Sequence, residues 1–176
     1  MSVTHTTDDA PVVTRVVMTL GDDVSTDAIY PGRFMATVLP NETPQYAFAD
    51  HPEFRALLKE GTMPAGSALV AGSNFGCGSS REQAASTLRG HNLVVVARGF
   101  ARIFLQNAVN LGLQIVDCPG IAASAGDVLE ISAGAVFNRT TGQRFAVRAL
   151  PPARQAIMKA GGLIAYTRGR LLTRQP

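Results

Sequence analysis

The feature that most constrains the fold of this chain is an alternation of short apolar segments with helical segments between residues 67 and 116. Three apolar segments have the length and composition of buried strands: Ser67–Ala71, Leu93–Ala97 and Leu113–Val116. Two helical segments separate them, Arg81–Arg89 before Gly90 and Phe100–Leu111 before Gly112. Because a helix is the usual crossover between parallel strands, the pattern predicts a parallel βαβαβ core.

The segments on either side of this core add strands and helices of their own. Val12–Leu20 is rich in β-branched residues and predicts a first strand, and His51–Glu60 predicts a short helix. Three shorter strands are predicted near the end of the chain: Asp127–Ser132, Ala135–Asn138 and Gln143–Leu150, with a turn at Thr140–Gly142. A last helix is predicted over Pro151–Lys159. The fold class is therefore α/β with an additional small β-sheet.

Length and composition point to a single domain without a metal site. A chain of 176 residues with 46% hydrophobic residues can bury one core, so we expect a flexible tail over residues 1–11 and one domain over residues 12–176. We expect a soluble, cytoplasmic protein, because the polar start has no signal-peptide pattern and no apolar stretch approaches the roughly 18 residues of a membrane span. Cys77 and Cys118 form no C-x-x-C pair, and the three histidines show no ligand spacing.

Charge is unevenly distributed along the chain. Residues 1–130 carry 8 Lys+Arg against 13 Asp+Glu, a formal charge of −5, whereas residues 131–176 carry 8 Lys+Arg and no acid, a charge of +8. The basic part contains Arg139, Arg144, Arg148, Arg154, Lys159, Arg168, Arg170 and Arg174. It can attract an acidic partner subunit or an anionic substrate, or it can be a solvated face. Aromatic residues make up only 6% and no nucleic-acid-binding motif occurs, so neither nucleic acid nor a membrane is expected as a partner.

A glycine-rich loop, Asn74–Ala84, joins a predicted strand to a predicted helix. Its glycines allow close approach of a ligand, and the helix N-terminus together with Arg81 favours an anion. In the purely structural alternative, Ser80 caps the helix and Gln83 completes a capping box. A dinucleotide-binding loop would need a glycine at Arg81 and an acidic residue about 20 positions on, and a P-loop would need a lysine. Neither requirement is met.

The chain resembles a known family, the small subunits of isopropylmalate isomerase and homoaconitase, which are related to the swivel domain of aconitase. The resemblance covers most of residues 13–118. Three segments carry it in the order of the family: Gly21–Ile29, Gly72–Ala84 containing G-S-S-R-E, and Phe100–Phe104 leading to Asn107 and Gly112. It implies a swivelling β/β/α domain in a hydro-lyase that is active only with an iron–sulfur large subunit, as in leucine biosynthesis.

The same resemblance implies roles for individual residues. Ser79 matches the catalytic serine base, Ser80 and Arg81 match substrate-carboxylate contacts, and Asp27 matches an acidic position that helps order the site. A four-iron four-sulfur cluster is expected on the large subunit and no cofactor on this chain, because two cysteines cannot supply the three or four thiolates of such a cluster. The implied reaction removes and re-adds water on a hydroxy di- or tricarboxylic acid, with the cluster iron as Lewis acid.

The substrate stays open between isopropylmalate, homoaconitate and a methyl-substituted malate. By the same resemblance, Ala36 occupies the position at which isopropylmalate isomerases have an arginine that contacts the substrate. We therefore treat Ala36 as a specificity position and expect a substrate other than simply isopropylmalate. Arg33 is a further candidate for substrate binding. At Gln83 the glycine-rich loop resembles homoaconitase loops more than those of isopropylmalate isomerases, which commonly have histidine there. Two other functions remain: an anion-binding or regulatory module of the same fold without catalysis, and an independent enzyme acting on a phosphate ligand.

Overall fold

The computed structural model describes residues 10–173, and its centre is a mixed sheet of seven strands. The strands are β1 (Val12–Thr19), β2 (Ala68–Ala71), β3 (Val94–Ala97), β4 (Gln114–Asp117), β5 (Val128–Ile131), β6 (Ala135–Asn138) and β7 (Arg144–Ala146). Their order across the sheet is β4-β3-β2-β1-β5-β6-β7. Strands β1 to β4 pair in parallel, whereas β5, β6 and β7 pair antiparallel. The predicted α/β class and parallel βαβαβ core are confirmed.

Strand β1 joins the two parts of the sheet. Its first half, from Val12 to Arg15, pairs antiparallel with β5, and its second half, from Val16 to Thr19, pairs in parallel with β2. The register shifts between Val16 and Met18, and such an irregularity bends a strand. The additional small sheet of the prediction is therefore continuous with the parallel strands through β1.

Two apolar clusters cover the two faces of the parallel strands. In β2, Leu69 belongs to the cluster on the helical face, while Val70 belongs to a second cluster with Leu129 of β5 and Val136 of β6. Successive side chains of a strand point to opposite faces, so β2 is buried on both sides. The antiparallel strands thus lie over one face of the parallel strands and helices cover the other, which is the β/β/α arrangement that the resemblance implied.

Six α-helices occur in the described part of the chain, residues 10–173. They are α1 (Thr26–Ile29), α2 (Pro52–Glu60), α3 (Glu82–Gly90), α4 (Arg102–Leu111), α5 (Pro152–Lys159) and α6 (Leu163–Leu172). Helices α2 and α4 end at Gly61 and Gly112, as predicted. Both glycines are in the left-handed conformation. Short 3₁₀ helices occur at Gly32–Phe34 and Thr43–Tyr46.

The prediction omitted α1 and α6. Helix α1 has only four residues, and α6 follows α5 after the Gly161-Gly162 pair, where a helix was not expected. Most of the predicted N-terminal tail (residues 1–9), with His5, and also Arg174 lie outside the described residues. Within residues 10–173, no helix combines the length and apolarity needed to cross a membrane.

Candidate active site

The three segments that carry the family resemblance meet where β1 and β2 end. After β1, the Asp22 carboxylate accepts a hydrogen bond from the backbone N–H of Ser73 (2.6 Å), and the backbone N–H of Asp23 donates to the carbonyl of Ser73 (2.9 Å). The Asn74 amide donates to the Asp23 carboxylate (2.7 Å). In parallel sheets the carboxyl ends of neighbouring strands lie at one edge, which is why loops distant in sequence pair here.

The glycine-rich loop is also held by the third segment. The backbone N–H of Phe75 donates to the carbonyl of Gly99 (2.9 Å), and the backbone N–H of Ala101 donates to the carbonyl of Phe75 (2.9 Å). Gly76 has a φ of +80°, and a Cβ at that position would lie 2.2 Å from Cγ of Phe104 on α4. Only glycine fits this approach, so the loop rests directly on α4.

Ser79 and Ser80 lie at the tip of this loop and are exposed. The Thr26 hydroxyl donates to the Ser79 carbonyl (2.8 Å), and Gly78 is left-handed with a φ of +87°. The hydroxyls of both serines make no hydrogen bond with any of residues 10–173. Ser79 is thus fixed through its backbone, while its hydroxyl is free of hydrogen bonds within the described residues.

The capping role considered for Ser80 is wrong. Helix α3 begins at Glu82, and the residue before it, Arg81, is in an extended conformation without a side-chain capping bond. The expected capping box with Gln83 is therefore absent from α3. The Arg81 side chain, instead of capping α3, turns to α1 and the residue after it, where it has its hydrogen-bond partners.

Arg81 links the glycine-rich loop to the first loop, which is the segment between β1 and α2 (residues 20–51) and includes α1. Its Nη1 donates to the Asp27 carboxylate and to the Tyr30 carbonyl (3.0 Å), and Asp27 also accepts from the backbone N–H of Gly32 (2.9 Å). The Arg81 guanidinium, and next the Gly32 N–H, hold the pKa of Asp27 below its usual value of 3.8. No other guanidinium nitrogen of Arg81 has a hydrogen-bond partner among the described residues, so Arg81 retains donors for a second carboxylate.

The two candidate specificity residues differ in their surroundings. The Arg33 guanidinium forms a two-bond ion pair with Asp50, one bond at 2.7 Å, and stacks over the Phe34 ring at 4.5 Å. Ala36 is exposed, in a turn whose flanking carbonyls, those of Phe34 and Thr37, accept from the buried Tyr30 hydroxyl. The structure brings Asp27, Ser79, Ser80 and Arg81 together, while Arg33 is engaged by a carboxylate of its own.

Several site contacts have no equivalent in the sequence-based prediction. Thr26 belongs to the Gly21–Ile29 segment of the resemblance, where no hydrogen bond to Ser79 was expected, and Tyr30 lies directly after that segment. Asp50 lies 17 residues from Arg33, and no motif connects the two. A single sequence carries no signal for such an ion pair.

The cysteines of this chain do not fit an iron–sulfur cluster. Cys77 is half-buried and donates to the Asp23 carbonyl (3.3 Å), whereas Cys118 belongs to the apolar cluster on the opposite face of the sheet. Burial raises the pKa of Cys118 to about 11, and its position in the apolar cluster places it apart from Cys77. Among residues 10–173 no group of three or more His, Cys, Asp or Glu side chains could hold a metal ion.

Comparison with known proteins gives consistent results. The profile of the family described as "Aconitase C-terminal domain" matches residues 62–119. The 3-isopropylmalate dehydratase small subunit of Heliobacterium modesticaldum is 40% identical over 88% of this chain and 94% of its own length, and that of Methanosarcina mazei is 43% identical over 84% and 91%. The crystal structure of 3-isopropylmalate dehydratase from Methanocaldococcus jannaschii superposes with a TM-score of 0.81 at 32% identity, covering 93% of this chain and 98% of that one.

Proposed function

This chain belongs to the family of 3-isopropylmalate dehydratase small subunits, and we propose that it contributes a serine base and a carboxylate-binding arginine to a hydro-lyase completed by a large subunit. The observation that carries the proposal is the position of the Ser79 hydroxyl. It is exposed, it has no hydrogen-bond partner among residues 10–173, and it belongs to the residue two positions before Arg81 in the sequence. A place in leucine biosynthesis follows from the name of the relatives.

Ser79 is proposed to take the proton from the substrate carbon next to the one that bears the hydroxyl. A serine hydroxyl is a weak base, and a positive charge close to its oxygen favours the alkoxide. Arg81 supplies such a charge, and the N-terminus of α3 adds the positive end of a helix dipole. The proton would move to Oγ of Ser79 during dehydration and return to the carbon during rehydration.

Arg81 is proposed to bind a substrate carboxylate through the nitrogens that Asp27 and Tyr30 leave free. Asp27 then acts as the residue that orients Arg81, because its carboxylate accepts from both Arg81 and the Gly32 N–H. A planar guanidinium held on one side by one carboxylate can present its other donors in a fixed direction. The Ser80 hydroxyl, which also has no hydrogen-bond partner among residues 10–173, can donate to the same substrate carboxylate.

The first loop favours a substrate with an apolar third substituent. Asp50 neutralises Arg33, and Ala36 is uncharged, so the loop offers no free cation to a third carboxylate. Burying an unpaired carboxylate is costly, which disfavours homoaconitate. An alkyl-substituted malate fits better, and isopropylmalate and a methyl-substituted malate both belong to this class. The earlier expectation that isopropylmalate itself is not the best substrate stays a prediction.

The large subunit is proposed to carry the iron–sulfur cluster. With only two cysteines, one of them a buried protonated thiol, this chain lacks the ligands for it. The cluster supplies Lewis-acid chemistry at the substrate hydroxyl when it is bound. We place the assembled enzyme in the cytoplasm.

Replacement of Ser79 tests the proposal in the enzyme reconstituted with the large subunit of the same organism. Ser79→Ala should lower turnover at least about a hundredfold, the scale of a lost general base, while the subunits still assemble. Ser73→Ala is the matched control, because Ser73 lies directly before the glycine-rich loop and its hydroxyl has no hydrogen-bond partner among residues 10–173. Near-normal turnover of Ser79→Ala excludes Ser79 as the base.

The substrate class is tested by kcat/KM values for isopropylmalate, a methyl-substituted malate, homoaconitate and citrate. The kcat/KM values for the alkyl malates should exceed those for both tricarboxylates by about tenfold or more, which corresponds to the free energy of one charged contact. Preference for a tricarboxylate contradicts the interpretation of the first loop. Binding of carboxylates by the isolated chain, with no turnover in the presence of the large subunit, would instead support an anion-binding module.

A further inference from the structure

Helix α6 exposes an apolar surface that nothing within residues 10–173 covers. Of the ten residues of α6, none is buried and only Tyr166 is half-buried. Four large apolar side chains are exposed: Leu163 at 41%, Ile164 at 77%, Leu171 at 63% and Leu172 at 66%. Helices of this length are marginal in water, and most helices in proteins are stabilised by burying an apolar face. Helix α6 therefore buries little apolar surface against the rest of residues 10–173.

The exposed apolar residues lie on one side of the helix. Leu163, Thr167 and Leu171 follow one another at intervals of four, and so do Ile164, Arg168 and Leu172. Residues four apart are neighbours on a helix surface, so these six residues form two adjacent rows, here called the α6 stripe. Together they line one shallow groove. The half-buried Tyr166 lies outside the stripe, toward the side on which α6 packs beside α4 and α5.

Arg168 lies in the middle of the α6 stripe and is exposed without an acidic partner in the described chain. Two other arginines of the basic region have acidic partners, Arg139 with Glu130 and Arg148 with Asp117, whereas Arg144, Arg154 and Arg170 have none within residues 10–173. No acidic residue occurs after Glu130. The stripe thus combines apolar side chains with an uncompensated cation, and a complementary surface would be apolar with a carboxylate.

The position of Arg168 argues against a second copy of this chain as the occupant. The stripe runs from Leu163 to Leu172, so a two-fold related, antiparallel pair of α6 helices would be centred between Thr167 and Arg168. That pairing brings the two Arg168 side chains together, each without an acid to neutralise it. Like charges facing each other in an interface are unfavourable. A different protein with an acidic group is favoured.

We infer that the α6 stripe is a docking surface for the large subunit, which would cover the four apolar side chains and place a carboxylate opposite Arg168. The inference rests on the proposed function in taking the large subunit as the partner. Helix α6 starts beside Gly112, at the C-terminal end of α4, whereas the glycine-rich loop contacts the N-terminal end of α4. Attachment through α6 is therefore separate from Ser79 and Arg81, which belong to the site that the large subunit completes.

Binding of the full chain to the large subunit of the same organism tests the inference, by anaerobic titration calorimetry with turnover measured in parallel. Leu171→Asp and, separately, Arg168→Glu should each raise the dissociation constant at least about tenfold. At saturating concentrations of the small subunit, turnover should return to within about twofold of the unaltered enzyme. Arg144→Glu is the matched control, since Arg144 is exposed and lies outside the stripe, and its substitution changes the net charge by the same amount as Arg168→Glu. Circular dichroism checks that each variant is folded.

The outcomes separate this inference from the proposed function. Unaltered binding of both Leu171→Asp and Arg168→Glu overturns the docking surface, whatever the activity of Ser79→Ala. Self-association of the unaltered chain in sedimentation velocity that Leu171→Asp abolishes also overturns it, because a second copy would then cover the stripe. If Ser79→Ala keeps full turnover while Leu171→Asp loses the large subunit, the serine base is wrong and the docking surface stands.

Discussion

At the scale of single residues, the candidate site depends on one ion pair between two loops. Arg81 is only 17% exposed in its side chain, whereas Asp27 is 64% exposed. The exposed carboxylate thus fixes a largely covered guanidinium, and it also accepts from the Gly32 N–H in the turn that leads to Ala36. Asp27 consequently connects Arg81, the proposed substrate-carboxylate donor, to the turn near Ala36, which is proposed to contact the variable part of the substrate.

The contribution of Asp27 to stability should depend on pH. The pKa of Asp27 is lowered in the folded chain, chiefly by Arg81. A lowered folded pKa means stability that is present above the unfolded pKa and is lost as pH falls through the folded value. Asp27→Asn should therefore be less stable than the unaltered chain at pH 7. The difference in unfolding free energy should begin to shrink near pH 3.8, the unfolded pKa, and should shrink further at lower pH. Urea unfolding between pH 7 and pH 3 measures it, and a constant difference across this range contradicts the prediction.

Replacement of Arg81 should mainly affect substrate binding. Lysine keeps the charge but loses the planar set of donors that can serve Asp27 and a substrate carboxylate together. Arg81→Lys should raise KM at least about tenfold, with a smaller change in kcat. Steady-state kinetics of the assembled enzyme measure it, with Arg89→Lys at the other end of α3 as the control. Unchanged KM and kcat would show that Arg81 does not contact the substrate.

At the scale of elements, the site is positioned by the contact between the glycine-rich loop and α4. Gly76 lies against Phe104, and Phe75 is joined by backbone hydrogen bonds to the segment before α4. Phe104 is itself buried in the helical-face cluster. The loop that carries Ser79 is therefore fixed to the core on one side and to α1 on the other, as a rigid site requires.

Substitution of Gly76 tests this contact. Gly76→Ala should destabilise the chain by about 2 kcal/mol or more, because a left-handed φ of +80° and a clash with Phe104 act together. Gly66→Ala is the matched control: its φ is +83°, with no atom within 4 Å of the added Cβ, so it reports the backbone strain alone. Chemical denaturation of both variants gives the difference. Equal destabilisation would contradict a tight loop–helix contact.

At the scale of the whole molecule, the two parts of the sheet share one strand and one core. Strand β1 pairs with both β2 and β5, and the second cluster combines Val70 and Val96 with Leu129 and Val136. Neither part can keep its apolar face buried without the other. The single domain predicted over residues 12–176 stays a prediction, and the shared strand and the shared apolar cluster give the physical reason for it.

A single cooperative unfolding transition should follow. Scanning calorimetry should give one peak with equal calorimetric and van't Hoff enthalpies, because separating β5, β6 and β7 would expose the shared cluster. Far-ultraviolet and near-ultraviolet circular dichroism should report the same midpoint. Two resolved peaks would mean that the antiparallel strands unfold separately.

Local pattern was sufficient for most elements of this protein. The apolar runs around Val70, Val95 and Ile115, the helical spacing of Phe104 and Ala108, and the glycines that end α2 and α4 predicted the strands, helices and their order. These features depend on side-chain periodicity and on the left-handed backbone conformation that glycine adopts readily, and both can be read from neighbouring residues. The glycine-rich loop was identifiable for the same reason.

Tertiary structure decided the features that depend on residues distant in sequence. The pairing of Asp27 with Arg81 spans 54 positions, and it replaced the local capping of α3 that Ser80 and Gln83 suggested. The joining of two sheets by β1, the ion pair between Arg33 and Asp50, and the uncovered apolar side of α6 likewise follow only from how the elements pack. Sequence by itself determined the elements and the segments that form the site, because short-range periodicity encodes them. The contacts among those segments required the folded chain, because a charged side chain finds its partner by proximity in space and no local pattern records that proximity.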